Sequence, residues 1–128
     1  FMPKSPFLQI PEAEYICSNK LAFAVWDKFP VTTGHALIIP YRIMTTWWET
    51  SRKEKKELSK LLEQTRQIIE EKYNPDGFNI GINNNKAAGQ TVNHLHIHLI
   101  PRYFGDIPDP RGGVRHVIPS KGNYLESK

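Results

Sequence analysis

The sequence has a single cysteine, Cys17, so it can form no internal disulfide and no all-cysteine metal cluster. No apolar run approaches the ~20 residues of a membrane helix, and no signal-peptide pattern opens the sequence. Internal repeats and low-complexity segments are missing as well, which argues against solenoids and compositionally disordered tails. Charge of one sign is not concentrated. Seventeen Lys and Arg against thirteen Asp and Glu leave a net +4, and the basic residues are scattered. That balance favours anionic partners in a general way and does not argue for nucleic acid. One thiol and no apolar span set the expectation of a reducing, cytoplasmic setting with no membrane partner. A length of 128 residues is enough for one domain with a real core.

What the chain does have is histidine in strict alternation. Within Val92-Asn93-His94-Leu95-His96-Ile97-His98-Leu99-Ile100-Pro101, three of the five histidines recur at every second position. Large apolar residues stand between them. This is strand periodicity, and it predicts His94, His96 and His98 in a row of about 13 Å on one sheet face, with Leu95, Ile97 and Leu99 buried on the other.

The remainder of the chain supplies a small α+β fold. Residues 1–13 form an irregular, proline-rich lead-in that covers something apolar. Short strands are expected at 14–18 and 21–26, followed by a loop through Phe29-Pro30 to Gly34. Residues 35–39 read as a buried strand stopped by Pro40, with His35 on the face of Leu37 and Ile39. A helical turn carries Trp47 and Trp48. Ser51-Arg52-Lys53-Glu54 fits a capping box that opens a helix running to about Tyr73. Its apolar stripe is Leu58, Leu61, Leu62, Ile68, Ile69 and Tyr73, and its many charges read as a solvated face. After a turn at 74–77, residues 78–83 alternate as another strand, and a polar loop at 84–91 leads into the histidines. The predicted domain is 1–104, with 105–128 as an extended, glycine- and proline-rich arm of the same domain.

Three chemistries fit the histidine row. A purely structural row would be costly, because each buried imidazole needs hydrogen-bond partners. A metal site could use two of the histidines with His35, but His94 and His98 are too far apart to close on one ion, and no carboxylate ligand is evident nearby. Phosphate chemistry fits best. The loop Asn84–Thr91 contains Gly89 and short polar side chains that can hold an anion. A neutral imidazole attacks phosphorus, and a neighbouring one stabilises the charge that develops.

The segment Asn93-His94-Leu95-His96-Ile97-His98-Leu99-Ile100 resembles the signature of the histidine triad (HIT) family, His-φ-His-φ-His-φ-φ with φ apolar. Gly89-Gln90-Thr91-Val92 is similar to that family's phosphate loop, and Gly34-His35-Ala36-Leu37-Ile38-Ile39-Pro40 to its Gly-His strand, with Asp27 upstream where the family has Asp or Asn. The spacing resembles the fragile-histidine-triad hydrolases of dinucleoside polyphosphates, and Asp109-Pro110-Arg111-Gly112-Gly113-Val114-Arg115 resembles diadenosine tetraphosphate hydrolase-like members.

The resemblance implies an antiparallel sheet of about five strands with one long helix, and a homodimer in which two sheets join. Trp47, Trp48 and the helix are candidate dimer surfaces or intrachain core. It implies a hydrolase of nucleotides, adenine nucleotides favoured, working through a nucleotidyl-histidine intermediate. A phosphorylase using inorganic phosphate, a phosphoramidate hydrolase and a nucleotide-binding regulator are the alternatives. His96 would be the nucleophile. His98 would contact the phosphate or leaving oxygen, and His94 would hydrogen-bond within the triad and connect to His35. Asn83, Gly89, Gln90 and Thr91 would hold phosphate oxygens, Asp27 the ribose, and Ile10 and Val25 the base. Each of the last group also has a plain reading: Asp27 as a surface turn residue, Gln90 and Thr91 as strand-start residues, Ile10 and Val25 as core. No cofactor is implied beyond a divalent cation accompanying the substrate phosphates. Family members with structural zinc carry Cys-x-x-Cys and a later histidine. Ser5-Pro6-Phe7-Leu8 and Pro40-Tyr41-Arg42-Ile43 lack these ligands, so no structural zinc is expected. For the arm, the expectation is a position near the nucleotide, with Arg111, Arg115 or Lys121 near the leaving phosphates.

Overall fold

Alternating apolar positions in the middle of the chain build a single antiparallel sheet. The computed structural model describes residues 5–126. Its strands are β1 Cys17–Ser18, β2 Ala22–Trp26, β3 Ala36–Pro40, β4 Gly77–Gly81 and β5 Ile97–Arg102, and the sheet order is β1-β2-β3-β5-β4. One long helix, α1 (Arg52–Tyr73), packs across one face. No helix among the described residues is long and apolar enough to cross a membrane.

Strands β2 and β3 are apolar on both sides, because both sides are covered. Ala22, Ala24, Ala36 and Ile38 face α1 and meet Leu58, Leu61 and Ile69 there, together with Leu95, Ile97 and Leu99. Phe23, Val25, Leu37 and Ile39 face the other way and lie under Phe7, Ile10, Tyr15 and Tyr41. The N-terminal lead-in therefore roofs the second face. It does so as two 3-10 turns, Pro6–Gln9 and Glu12–Glu14, the second occupying the start of the strand expected at 14–18. Only Cys17–Ser18 pairs with β2.

The helix begins where its capping box places it. Ser51 Oγ accepts from the Glu54 amide at 3.0 Å, and the Glu54 carboxylate accepts from the Ser51 amide at 2.8 Å. Glu54 is buried, and Arg42 adds two further hydrogen bonds of 2.9 and 2.7 Å. These bonds hold its carboxyl at about 2 against the cost of burial. Thr65 also belongs to the buried stripe, which hydropathy does not suggest. Its hydroxyl donates to the Leu61 carbonyl at 2.7 Å, so its burial leaves no donor unmet. Asn74 ends the helix in the left-handed conformation, with φ 48°.

Two features of this frame position the site. Gly34 has φ +91°, and a Cβ there would sit 2.9 Å from Tyr73 Cδ2 and 3.3 Å from Pro101 Cγ. Only glycine allows the loop to turn this close to α1 and β5 before delivering His35. The second feature is where β5 begins. The Leu95 amide donates to the Met44 carbonyl at 2.8 Å, so the chain is still off the sheet there, and strand pairing starts at Ile97. Beyond Arg102 the arm adds no strand among its described residues. It is wound into three 3-10 turns, Gly113–Val117, Pro119–Lys121 and Tyr124–Glu126, and the first of them contacts β4.

Candidate active site

The register of β3 on β5 pairs Leu37 with His98. That places His98 on the sheet face away from α1, next to the loop that Gly34 delivers. His35 Nε2 lies 2.9 Å from His98 Nδ1. The Asp27 amide donates to the His35 carbonyl at 2.9 Å, which continues the β2–β3 pairing and brings the Asp27 carboxylate to 3.3 Å from His35 Nε2. His96 precedes the strand; its ring lies 5.1 Å from that of His98, edge to face. Phe7 packs its ring on the other side of His96 at 4.9 Å.

Hydrogen bonds decide where the protons are. The Val31 amide donates to His35 Nδ1 at 3.1 Å, so the neutral ring carries its hydrogen on Nε2. That hydrogen points at His98 Nδ1 and Asp27. With Nδ1 accepting, neutral His98 carries its own hydrogen on Nε2. His96 Nδ1 can only donate to its partner, the His94 carbonyl at 2.8 Å, so Nε2 of His96 keeps the lone pair. Neighbouring imidazoles thus present one acceptor and one donor. Burial pushes His98 down to about 4, helped by the charges His96 and His35 would carry, with Asp27 opposing. Burial also lowers His35, again against Asp27. Both are neutral near pH 7.

His94 departs from the expected row. It is 1% exposed, its Nε2 donates to the Pro40 carbonyl at 2.7 Å, and its Nδ1 accepts from Ser5 Oγ at 2.6 Å. It touches neither His35 nor the cleft. Because pairing starts only at Ile97, His94 lies beyond the sheet and turns under the N-terminal turn. The hydrogen-bonded partner of His35 is His98.

His35, His96 and His98 line a cleft of about 450 Å³ together with Ile10, Val25, Asp27, Asn83, Gly89 and Thr91. Ile10 and Val25 are also part of the second core cluster, so they serve both purposes. Gln90 is the other departure. Its side chain is buried, accepts from the Asn85 amide at 2.7 Å, and donates to the carbonyls of Thr45 (2.8 Å) and Val92 (3.1 Å). These three bonds close the loop that precedes the histidines, so Gln90 shapes that loop from within. Asp27 Oδ1 accepts from the Phe29 amide at 2.8 Å. Sequence reasoning missed Ser5, Phe7, Trp26, Phe29 and Val31. The Ser5-Pro6 pair was a readable signal for a capped turn, since Ser5 Oγ accepts from the Phe7 amide at 3.2 Å. Nothing in the sequence pointed to the Val31 amide.

Asp27, His35 and His98 bring ligand-type atoms within 4.8 Å of one another, including a carboxylate the sequence reading did not find. A cation among them would need the lone pair of His35 Nε2. The hydrogen would then move to Nδ1 and face the Val31 N–H, donor against donor. A cation at His35 Nε2 would therefore cost the Val31–His35 hydrogen bond.

The arm comes close to His98, although not by its expected residues. Gly113, Val114, His116 and Val117 line a groove next to the cleft. Arg111 pairs with Asp109 at 2.8 Å. Arg115 donates to the carbonyls of Gly122 and Lys121 and stacks on Tyr124. Arg111 and Arg115 thus have partners inside the arm, and neither they nor Lys121 lines the cleft or the groove.

A sequence model of the HIT domain matches residues 9–105. The chain is 37% identical over 93 residues to the bis(5'-adenosyl)-triphosphatase of Dictyostelium discoideum, covering 73% of this chain and 62% of that protein. It is 33% identical over 110 residues to the AP-4-A phosphorylase of Mycobacterium tuberculosis, covering 81% and 56%. The chain therefore spans a little over half the length of these relatives. The crystal structure of a HIT-family protein from Bacillus subtilis superposes with a TM-score of 0.74 at 28% identity, over 81% of this chain and 77% of that one.

Proposed function

The chain belongs to the HIT-domain family, and on that premise we propose that it cleaves a nucleotide bearing a substituent on its α-phosphate, such as a dinucleoside polyphosphate, through a covalent nucleotidyl-histidine. The observation that carries this reading is the division of labour between adjacent rings: His96 Nε2 holds a lone pair, and neutral His98 offers an N–H in the same cleft.

In the first step the His96 Nε2 pair forms a bond to the α-phosphorus. The bond from phosphorus to the bridging oxygen breaks, and its electrons leave on that oxygen. The His98 N–H hydrogen-bonds the departing oxygen; a polyphosphate leaves as an anion, so no proton need be transferred. Water then attacks the phosphorus, the P–N bond breaks with its electrons returning to His96, and a proton is released to solvent. His35 positions His98 through the 2.9 Å hydrogen bond. Thr91, Gly89 and Asn83 hold phosphate oxygens, Asp27 takes the ribose, and Ile10 and Val25 flank the base. The chemistry needs no metal of its own, a reading supported by the Val31 lock on His35; a divalent cation enters only with the substrate phosphates. A homodimer completes the proposal. Trp48, 72% exposed, and Ile80, 49% exposed on the edge strand β4, offer it apolar surface.

Similarity to the Mycobacterium protein favours a second reading, in which inorganic phosphate replaces water in the second step and a nucleoside diphosphate is released. Substrate labelled at the α-phosphorus tests the shared step. After an acid-free quench the wild-type protein should carry label and His96→Ala should carry none. A fully active His96→Ala protein overturns the covalent mechanism, and inactivation by a chelator with rescue by zinc overturns metal independence. Product analysis with and without phosphate separates hydrolase from phosphorylase.

A further inference from the structure

A second groove of about 550 Å³ runs along the outer face of β5 and β4, between that face and the C-terminal arm. It shares His98, His35, Asn83 and Val31 with the histidine cleft, so the two spaces meet at the reactive rings. Its floor is His98 and Ile100 from β5, with Asn79 opposite Ile100 and Gly81 opposite His98 in β4. Its far wall is the arm turn with Val114 and Val117, which are 61% and 80% exposed. Volume and a mainly apolar lining with few polar groups are those of a small-molecule site.

The wall is built rather than loose. The His116 ring lies against Gly122, where any Cβ would collide with it, and His116 Nε2 donates to the Arg111 carbonyl at 3.0 Å. Arg115 ties the same turn to the Gly122 carbonyl at 3.2 Å, and Asn123 donates to Asp109 at 2.7 Å. Holding two valines in solvent on so braced a turn leaves apolar surface unused in the free protein. A displacement at phosphorus runs roughly in line, so the departing group leaves on the side opposite the attacking nitrogen. With His96 attacking from the histidine cleft, the departing half of the substrate exits past His98, where the groove begins.

We propose that this groove is the subsite for the departing nucleoside of a dinucleoside polyphosphate, with the arm turn at Val114 and Val117 as its apolar wall. The inference rests on the nucleotidyl-transfer reading above and narrows its substrate to one with a nucleoside at each end. The retained nucleotide occupies the histidine cleft; the second nucleoside lies across Ile100 under the arm.

Gly81 provides a test that spares the fold. It has no positive φ, and a Cβ there meets nothing within 4 Å, so Gly81→Val suits the strand and fills the groove floor beside His98. Val114→Asp alters the opposite wall at an exposed position. Each variant and the wild type would be compared on diadenosine tetraphosphate and on adenosine 5'-phosphoramidate, whose leaving group is only an amine. The ratio of kcat/KM, dinucleotide over phosphoramidate, should fall at least about tenfold in both variants. A ratio within twofold of the wild type in both overturns the subsite. So does a wild-type protein that cleaves the phosphoramidate alone. A wild type that cleaves neither substrate instead overturns the nucleotidyl-transfer reading itself.

Discussion

His35 Nε2 donates to His98 Nδ1 across 2.9 Å, and the Val31 amide at the far edge of the His35 ring makes that direction the available one for neutral rings. Val31, at the wall of the cleft, thus sets through its backbone amide which nitrogen of neutral His98 carries the hydrogen.

Removing the donor should uncouple this arrangement. In His35→Ala, His98 loses the bond that fixes both its tautomer and the orientation of its ring in the cleft. We expect kcat to fall by about 10²-fold with KM changing much less, measured by steady-state kinetics on a dinucleoside polyphosphate. An unchanged kcat would show that His98 does not depend on His35.

Stability should depend on pH through the buried imidazoles. His98, pushed from 6.5 to about 4, and His35 and His94, also lowered by burial, are neutral in the fold but bind protons readily once unfolded. Where the unfolded chain binds more protons, stability rises with pH. Their contribution is complete above 6.5 and is lost as the pH falls from 6.5 through about 4. Urea midpoints at pH 7.5, 6 and 5 should therefore decrease in that order, and a flat series would be inconsistent with neutral buried histidines.

Gln90 should behave as a structural residue. Its three hydrogen bonds close the loop before the histidines and tie it to Thr45. Gln90→Ala leaves the Asn85 amide and the carbonyls of Thr45 and Val92 without that partner, which should cost about 1–3 kcal/mol by urea denaturation. A ligand-contacting side chain would instead affect KM alone.

Gly34 and Gly81 make a contrasting pair. At Gly34, φ +91° and the Tyr73 ring oppose any side chain, whereas at Gly81 the space is open. Gly34→Ala should destabilise by about 1–3 kcal/mol, and Gly81→Ala should not destabilise at all. Equal melting temperatures for the two variants would contradict the packing at Tyr73.

Local rules accounted for what could be read from the chain alone. The capping box at Ser51 and Glu54, the end of the helix at Tyr73 before the 74–77 turn and the burial of Leu95, Ile97 and Leu99 each depend on residues a few positions apart. So does the pairing of Gly34 with His35, where the turn must come before the strand. These are the interactions whose geometry a helix or strand repeat dictates without knowledge of its neighbours. The family signature likewise lies in short segments, which is why membership of the HIT family was open to inference.

Tertiary structure decided the rest, because the deciding partners are remote in sequence. His35 meets His98 and not His94 because the β3–β5 register pairs Leu37 with His98. His94 leaves the row because Met44 and Pro40 hold the chain off the sheet, and Ser5, from the N-terminal turn, meets its other nitrogen. Gln90 turns inward toward Thr45, and the arm approaches His98 with valines while its arginines close on the arm's own carbonyls and Asp109. The alternation specified that His96 and His98 would share one side of the chain, with Leu95, Ile97 and Leu99 buried on the other. Long-range hydrogen bonds specified the protons of His94 and His98, through Pro40 and His35, whereas those of His35 and His96 follow from the nearby Val31 amide and His94 carbonyl once the fold has formed.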